Sequence, residues 1–175
     1  RGAGVSEDGT ADEAARAAFV ARHGGVFERS PWIAARAWDA AQGAPPADVE
    51  ALHAALCAVF RAASVDERLA VLVAHPDLAG KLAAAKRLTA ESTAEQASAG
   101  LDALTDAERE TFAELNAAYV ARFGFPFIIA VRDCDKAGIL AAFSARLDNP
   151  PEVEFAEACA QVERIALHRL KDLAA

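Results

Sequence analysis

The chain is 175 residues long, 54% hydrophobic and 25% charged, which suits one folded domain with a substantial core. Its formal net charge is −8 and no basic cluster stands out; this argues against a nucleic-acid partner, because that contact relies on Lys and Arg set against phosphates. No apolar run approaches bilayer-spanning length and no basic start leads into an apolar stretch, so neither a membrane partner nor a secretory signal is indicated.

In chain order, the residues up to Thr10 are small, polar and glycine-containing and read as a flexible N-terminal segment, with residues 11–175 as one domain. The opening "RGAGVSEDGT" and the lack of methionine point to a trimmed or processed start. A first helix is predicted from Asp12 to Arg22, ended by Gly24 and Gly25. Ser30 reads as an N-cap with Pro31 in the first helical position, and "PWIAARAWDA" as a helix stopping at Gly43. After Pro45 and Pro46, "ADVEALHAALCAVFRAA" is helical to about Ala62. Ser64 and Glu67 form a capping box ahead of a helix in which Val65, Leu69, Leu72 and Val73 make one apolar stripe. That helix ends at Ala74, because His75 precedes Pro76 and is biased away from helical geometry.

A short helix is predicted from about Asp77 to Lys86. "TAESTAEQASAGLDAL" gives another, starting near Thr89 or Ser92 and weakened at Gly100. Thr105 and Glu108 form a second capping box, opening a long helix to about Phe123 with Gly124 as its stop. "FPFIIAVRD" has the β-branched and aromatic content of a strand but no partner strand of comparable quality. It is therefore predicted as an extended apolar segment over about 125–131, threaded between helices and leaving backbone groups for another partner. The last two helices run from about Lys136 to Leu147 and from about Glu152 to Leu173, separated by Asn149-Pro150-Pro151. The expected class is all-α, a single-domain bundle of roughly eight helices.

Few residues stand out chemically. Cys57, Cys134 and Cys159 are scattered, with no C-x-x-C, so neither a zinc ribbon nor a redox dithiol is indicated and a reducing, cytoplasmic setting is expected. His23 reads as a solvated helix end, and His53 and His168 as helix residues. His75 follows an apolar stripe and precedes Pro76; it is either a packed helix end or a base held at one. Ser92 and Glu95 share one helix face, either as a capping box or as groups presented to a polar ligand. Arg132, after the extended run, is either a solvated end or an anchor for a carboxylate, and Arg164 reads first as a surface residue. No H-E-x-x-H, G-x-S-x-G or glycine-rich phosphate loop is present, so metal and serine-hydrolase chemistry have no motif here. The face around Trp32 and Trp38 packs either inward or onto a second subunit, and a homodimer is kept as an expectation.

Taken together, "FERSPW", "HPDLAG", "ESTAEQASAGL", "FGFPFIIAV" and "ERIALHRLKDL" occur in one order. Over about Phe19 to Leu173 the chain resembles the OHCU decarboxylases, enzymes that act on 2-oxo-4-hydroxy-4-carboxy-5-ureidoimidazoline in urate breakdown. The resemblance implies an all-helical fold, no cofactor, and loss of CO2 to give (S)-allantoin. It implies His75 as the acid/base, with Glu95 beside it in the catalytic pair. Pro76, Ser92 and Gln96 would bind or orient the substrate, with the backbone of Phe127, Ile128 and Ile129 lining the pocket. Arg132 fits the family's substrate-binding arginine, and Arg164 is a further candidate of that kind. The implied functional neighbours are urate oxidase and hydroxyisourate hydrolase. Two rival readings stand beside it: a helical ligand-binding or interaction module without activity, and a metal-dependent hydrolase using His75, Asp77 and Glu95.

Overall fold

A computed structural model describes residues 7–78 and 89–175. Among the described residues there are eight α-helices and no strand: α1 (Glu7–His23), α2 (Trp32–Ala40), α3 (Val49–Ala62), α4 (Val65–Ala74), α5 (Ala90–Ser98), α6 (Asp106–Phe123), α7 (Lys136–Leu147) and α8 (Pro151–Ala174). One 3-10 turn covers Val131–Asp133. The all-α class is as predicted. No helix among the described residues is long and apolar enough to cross a membrane.

The chain divides into two compact units, one of residues 1–68 and 166–175 and one of residues 69–165. In the first, α1, α2 and α3 pack in sequence around Phe27, Ile33, Leu56 and Phe60, all buried. Trp38 turns its ring toward Phe19, and the Arg36 guanidinium lies over Trp32. Buried Arg169 donates to the Glu28 carboxylate at 2.7 Å and to the Gly25 carbonyl at 3.1 Å, so the polar residues of the core are paired with one another. The second unit is built on an aromatic cluster. Phe127 stacks on Phe143 with 3.8 Å between centroids, and Tyr119 meets both rings edge-on.

The helix boundaries follow the capping chemistry. Ser64 and Glu67 exchange hydrogen bonds with one another's backbone, as do Thr105 and Glu108, so both predicted boxes form. Asp48 and Asp135 cap α3 and α7 singly, their carboxylates accepting from the Ala51 and Gly138 N–H groups. Gly124 ends α6 in the left-handed region at φ 80°, which only glycine adopts without strain.

Four boundaries differ from prediction. Helix α1 begins at Glu7 rather than Asp12; a helix propagates across weak formers such as Gly9 once its nucleus exists. Ser30 does not cap α2 with its side chain, because its hydroxyl donates to the Glu28 carbonyl instead. That helix ends at Ala40, with Gln42 and Gly43 both at positive φ just beyond. Helix α5 is capped by Thr89 and stops at Ser98, because Gly100 at φ 77° turns the chain and lets Leu101 N–H bond back to the Gln96 carbonyl. The short helix expected from Asp77 to Lys86 falls, from residue 79 onward, outside the described residues.

The extended segment is as anticipated up to Ala130, and Val131 then enters the 3-10 turn. Side chains replace the partner strand that the segment lacks. Arg146 donates to the Ile128 carbonyl at 2.7 Å, and the Ala130 N–H donates to Gln161 at 2.9 Å.

Candidate active site

The site lies within the second unit, in a small cavity lined by His75, Pro76, Leu78, Ser92, Glu95, Gln96, Phe127, Ile128, Ile129, Val131 and Ile165. Three stretches of chain build it. The first is the end of α4. Pro76 cannot continue the helix, so His75 sits at its last turn, with its N–H on the Leu72 carbonyl. His75 is 7% exposed, and its Nδ1 lies 2.9 Å from the Val71 carbonyl. A carbonyl only accepts, so Nδ1 carries the proton and, in the neutral ring, the lone pair is on Nε2.

The loop after His75 is tied down by two carboxamides. Gln96 Nε2 donates to the Asp77 carbonyl at 3.3 Å, and buried Asn116 Nδ2 donates to the Leu78 carbonyl at 2.9 Å. Half-burial pushes the Asp77 carboxyl pKa above its ordinary value.

The second stretch is α5. The Thr89 hydroxyl accepts from the Ser92 N–H at 3.2 Å, which caps the helix and leaves the Ser92 side chain inside its first turn rather than at its cap. The spacing i, i+3, i+4 then places Ser92, Glu95 and Gln96 on one face, and all three are buried at 4%, 7% and 6% exposure. Glu91, Thr93, Ala94 and Ala97 are exposed. An ordinary amphipathic helix turns its apolar stripe inward; α5 turns a hydroxyl, a carboxylate and a carboxamide inward and leaves alanine in solvent.

The third stretch is the extended segment and the turn after it. Phe127, Ile128 and Ile129 supply apolar side chains and backbone. Among the described residues, the peptide N–H groups of Ile128 and Ile129 have no protein hydrogen-bond partner. The 3-10 turn packs on α5 and brings the half-buried Arg132 guanidinium to 4.0 Å from the Glu95 carboxylate.

Eight of the ten residues singled out from the sequence therefore line one cavity: His75, Pro76, Ser92, Glu95, Gln96, Phe127, Ile128 and Ile129. Arg132 stands at Glu95 without lining it. Arg164 is also outside the lining; it is about half exposed and holds Asp133, the residue after Arg132, through Nε at 2.7 Å and Nη2 at 3.3 Å.

Sequence reasoning missed Leu78, Val131 and Ile165 in the wall, and Asn116, Arg146 and Glu154 behind it. A signal for the last three exists. Each is a polar residue on an apolar helical stripe: Phe112-Asn116-Tyr119, Ile139-Phe143-Arg146, and Glu154 with Ala158, Val162 and Ile165.

Fold and cavity together define an all-helical protein with an imidazole, a hydroxyl, a carboxylate and a carboxamide in one pocket. The OHCU decarboxylase family matches residues 12–171 of the chain. A 2-oxo-4-hydroxy-4-carboxy-5-ureidoimidazoline decarboxylase of Halalkalicoccus jeotgali is 40% identical over 162 residues, covering 93% of this chain and 88% of that one. The uric acid degradation bifunctional protein PucL of Bacillus subtilis is 39% identical over 150 residues; the match covers 86% of this chain and 29% of that much longer one. A crystal structure of an (S)-allantoin synthase superposes with a TM-score of 0.72 at 34% identity, covering 93% of this chain and 53% of that one. The chain belongs to the OHCU decarboxylase family and is thus a carboxy-lyase.

Proposed function

We propose that the protein decarboxylates 2-oxo-4-hydroxy-4-carboxy-5-ureidoimidazoline to (S)-allantoin and CO2, with His75 as acid/base and without a cofactor. The observation that carries this reading is the inverted face of α5, which sets Ser92, Glu95 and Gln96 into the same cavity as His75. Their hydroxyl, carboxylate and carboxamide, set beside an imidazole, present donors and acceptors to a small polar substrate. The names of the relatives support the same substrate.

The steps balance. The bond from the ring carbon to the carboxylate breaks, and its electron pair moves toward the adjacent ring C=N, whose nitrogen takes up a proton. The enol so formed gives up its hydroxyl proton, and a proton is placed on the neighbouring ring carbon that bears the ureido group. His75 serves these transfers, since an imidazole both accepts and donates a proton. Glu95 hydrogen-bonds the 4-hydroxyl or the ureido group and fixes the ring against His75. Ser92, Gln96 and the backbone of Phe127 to Ile129 hold the ring carbonyls and N–H groups, and Pro76 packs on its face. Arg132, with Arg164 behind it on Asp133, attracts the carboxylate to a chain of net charge −8. Delivery of the proton from one side gives one enantiomer. The reaction belongs beside urate oxidase and hydroxyisourate hydrolase, in the cytoplasm.

The test is to generate the unstable substrate in place with those two enzymes and follow allantoin by circular dichroism. The wild-type protein is expected to yield one enantiomer faster than the spontaneous, racemic reaction. Racemic product at the spontaneous rate would refute the assignment.

A further inference from the structure

We infer that Arg146 is a positioning residue for this reaction: it sets the direction of the Ile128–Ile129 peptide in the cavity wall. The inference rests on the reading above. Arg146 is 7% exposed, does not line the cavity and belongs to none of the motifs that mark the site. Its guanidinium nevertheless donates through Nη1 to the Ile128 carbonyl at 2.7 Å and lies over the Phe127 ring at 4.3 Å. One side chain thus grips two successive residues of the wall.

The grip is itself over-determined. Nε donates to the Glu154 carboxylate at 2.8 Å, and Glu154 is fully buried. The same carboxylate accepts from the Tyr119 hydroxyl and from Asn149 Nδ2. A guanidinium has a planar fork of donors, so fixing Nε on one partner fixes where Nη1 points. Burial, followed by the Glu154 hydrogen bond, raises the Tyr119 pKa, which keeps that phenol a donor. A charge so placed is a poor device for stability alone, since apolar residues often serve a core equally well.

The consequence is geometric. In a trans peptide the carbonyl of one residue and the N–H of the next point in opposite directions. Holding the Ile128 carbonyl on Arg146 therefore turns the Ile129 N–H away from it, and that N–H has no protein partner among the described residues. It is a donor pre-set for the substrate. Loss of the grip leaves the cavity lining intact but unfixes this donor, which weakens ground-state and transition-state binding alike.

The experiment uses two variants of the full chain. Arg146→Lys keeps a charge but loses the fork. The triple variant Tyr119→Phe, Arg146→Met, Glu154→Leu replaces the buried polar trio by apolar groups and is expected to retain the fold. Kinetics are read with the in-place substrate on each variant that shows a cooperative melt, well below its midpoint. The expected result is a KM raised about fivefold to tenfold, kcat within about threefold, and allantoin still of one hand. A folded variant with KM within about twofold of wild type would overturn the inference, as would loss of kcat alone. Failure of the wild-type protein to decarboxylate would instead sink the functional reading, so the two failures are distinct.

Discussion

Gln96 donates through Nε2 to the Asp77 carbonyl, 3.3 Å away, and so ties the helix that carries Ser92 and Glu95 to the loop that carries His75. Asn116 holds the next carbonyl of the same loop, that of Leu78, from α6. The backbone after His75 is thereby held from both α5 and α6. Asn116→Leu leaves a buried carbonyl unpaired, at a cost of about 1–3 kcal/mol. Denaturant melts are expected to show that loss, and the folded fraction to turn over more slowly because the His75 loop is loosened. Unchanged turnover per folded molecule would mean that the loop holds its shape without α6.

The cap of α5 separates stability from function. Thr89 supplies the cap and Ser92 does not. Thr89→Ala is expected to cost about 1 kcal/mol with little effect on KM. Ser92→Ala is expected to raise KM several-fold with a smaller stability change. The reverse pattern in melts and kinetics would return Ser92 to the role of a cap.

The choice between those two caps shows where the sequence is legible. "TAESTAEQ" offers two hydroxyls spaced three apart, and only Ser92 has a carboxylate three residues on, at Glu95, so local chemistry favours the box that does not form. Thr89 caps instead, and Ser92 and Glu95 are buried in the cavity wall. The boxes at Ser64 and Thr105 had no such competitor and form as read. The extended apolar segment was legible because it lacked a strand partner, but what satisfies it was not. Arg146 and Gln161 lie 18 and 31 residues away from the groups they serve; the apolar stripe of Arg146 signals its burial but not the carbonyl it holds. The motifs named the wall of the site; only the three-dimensional contacts name what stands behind it.

Glu67 carries a pH prediction. The Arg36 guanidinium, aided by the Ser64 N–H, holds its carboxyl at about 2. A carboxyl depressed in the folded state adds stability that is fully present above its unfolded pKa and is lost as the pH falls through the folded one. The Tm gap between wild type and Glu67→Gln is therefore expected to be constant above about pH 5 and to close toward pH 2. The effect is small because the pair is exposed. A gap independent of pH would place the stabilising effect of Glu67 in packing or capping.

The two arginines are expected to differ. Arg132 faces Glu95, whereas Arg164 is engaged by Asp133. Arg132→Ala is expected to raise KM about tenfold or more through loss of a charge-assisted contact. Arg164→Ala should raise it less, about threefold, with both effects shrinking at high salt. A larger effect at Arg164 would make it the principal carboxylate anchor.

His75 lines the cavity with its Nδ1 committed to the Val71 carbonyl, and its proposed role as acid/base is the centre of the functional reading. The measurement that tests this most directly is the rate and optical purity of allantoin formed by His75→Ala from substrate generated in place. The account predicts a rate near the spontaneous background and a product close to racemic, with the fold retained by circular dichroism. Enantiopure (S)-allantoin formed within a few-fold of the wild-type rate would contradict it.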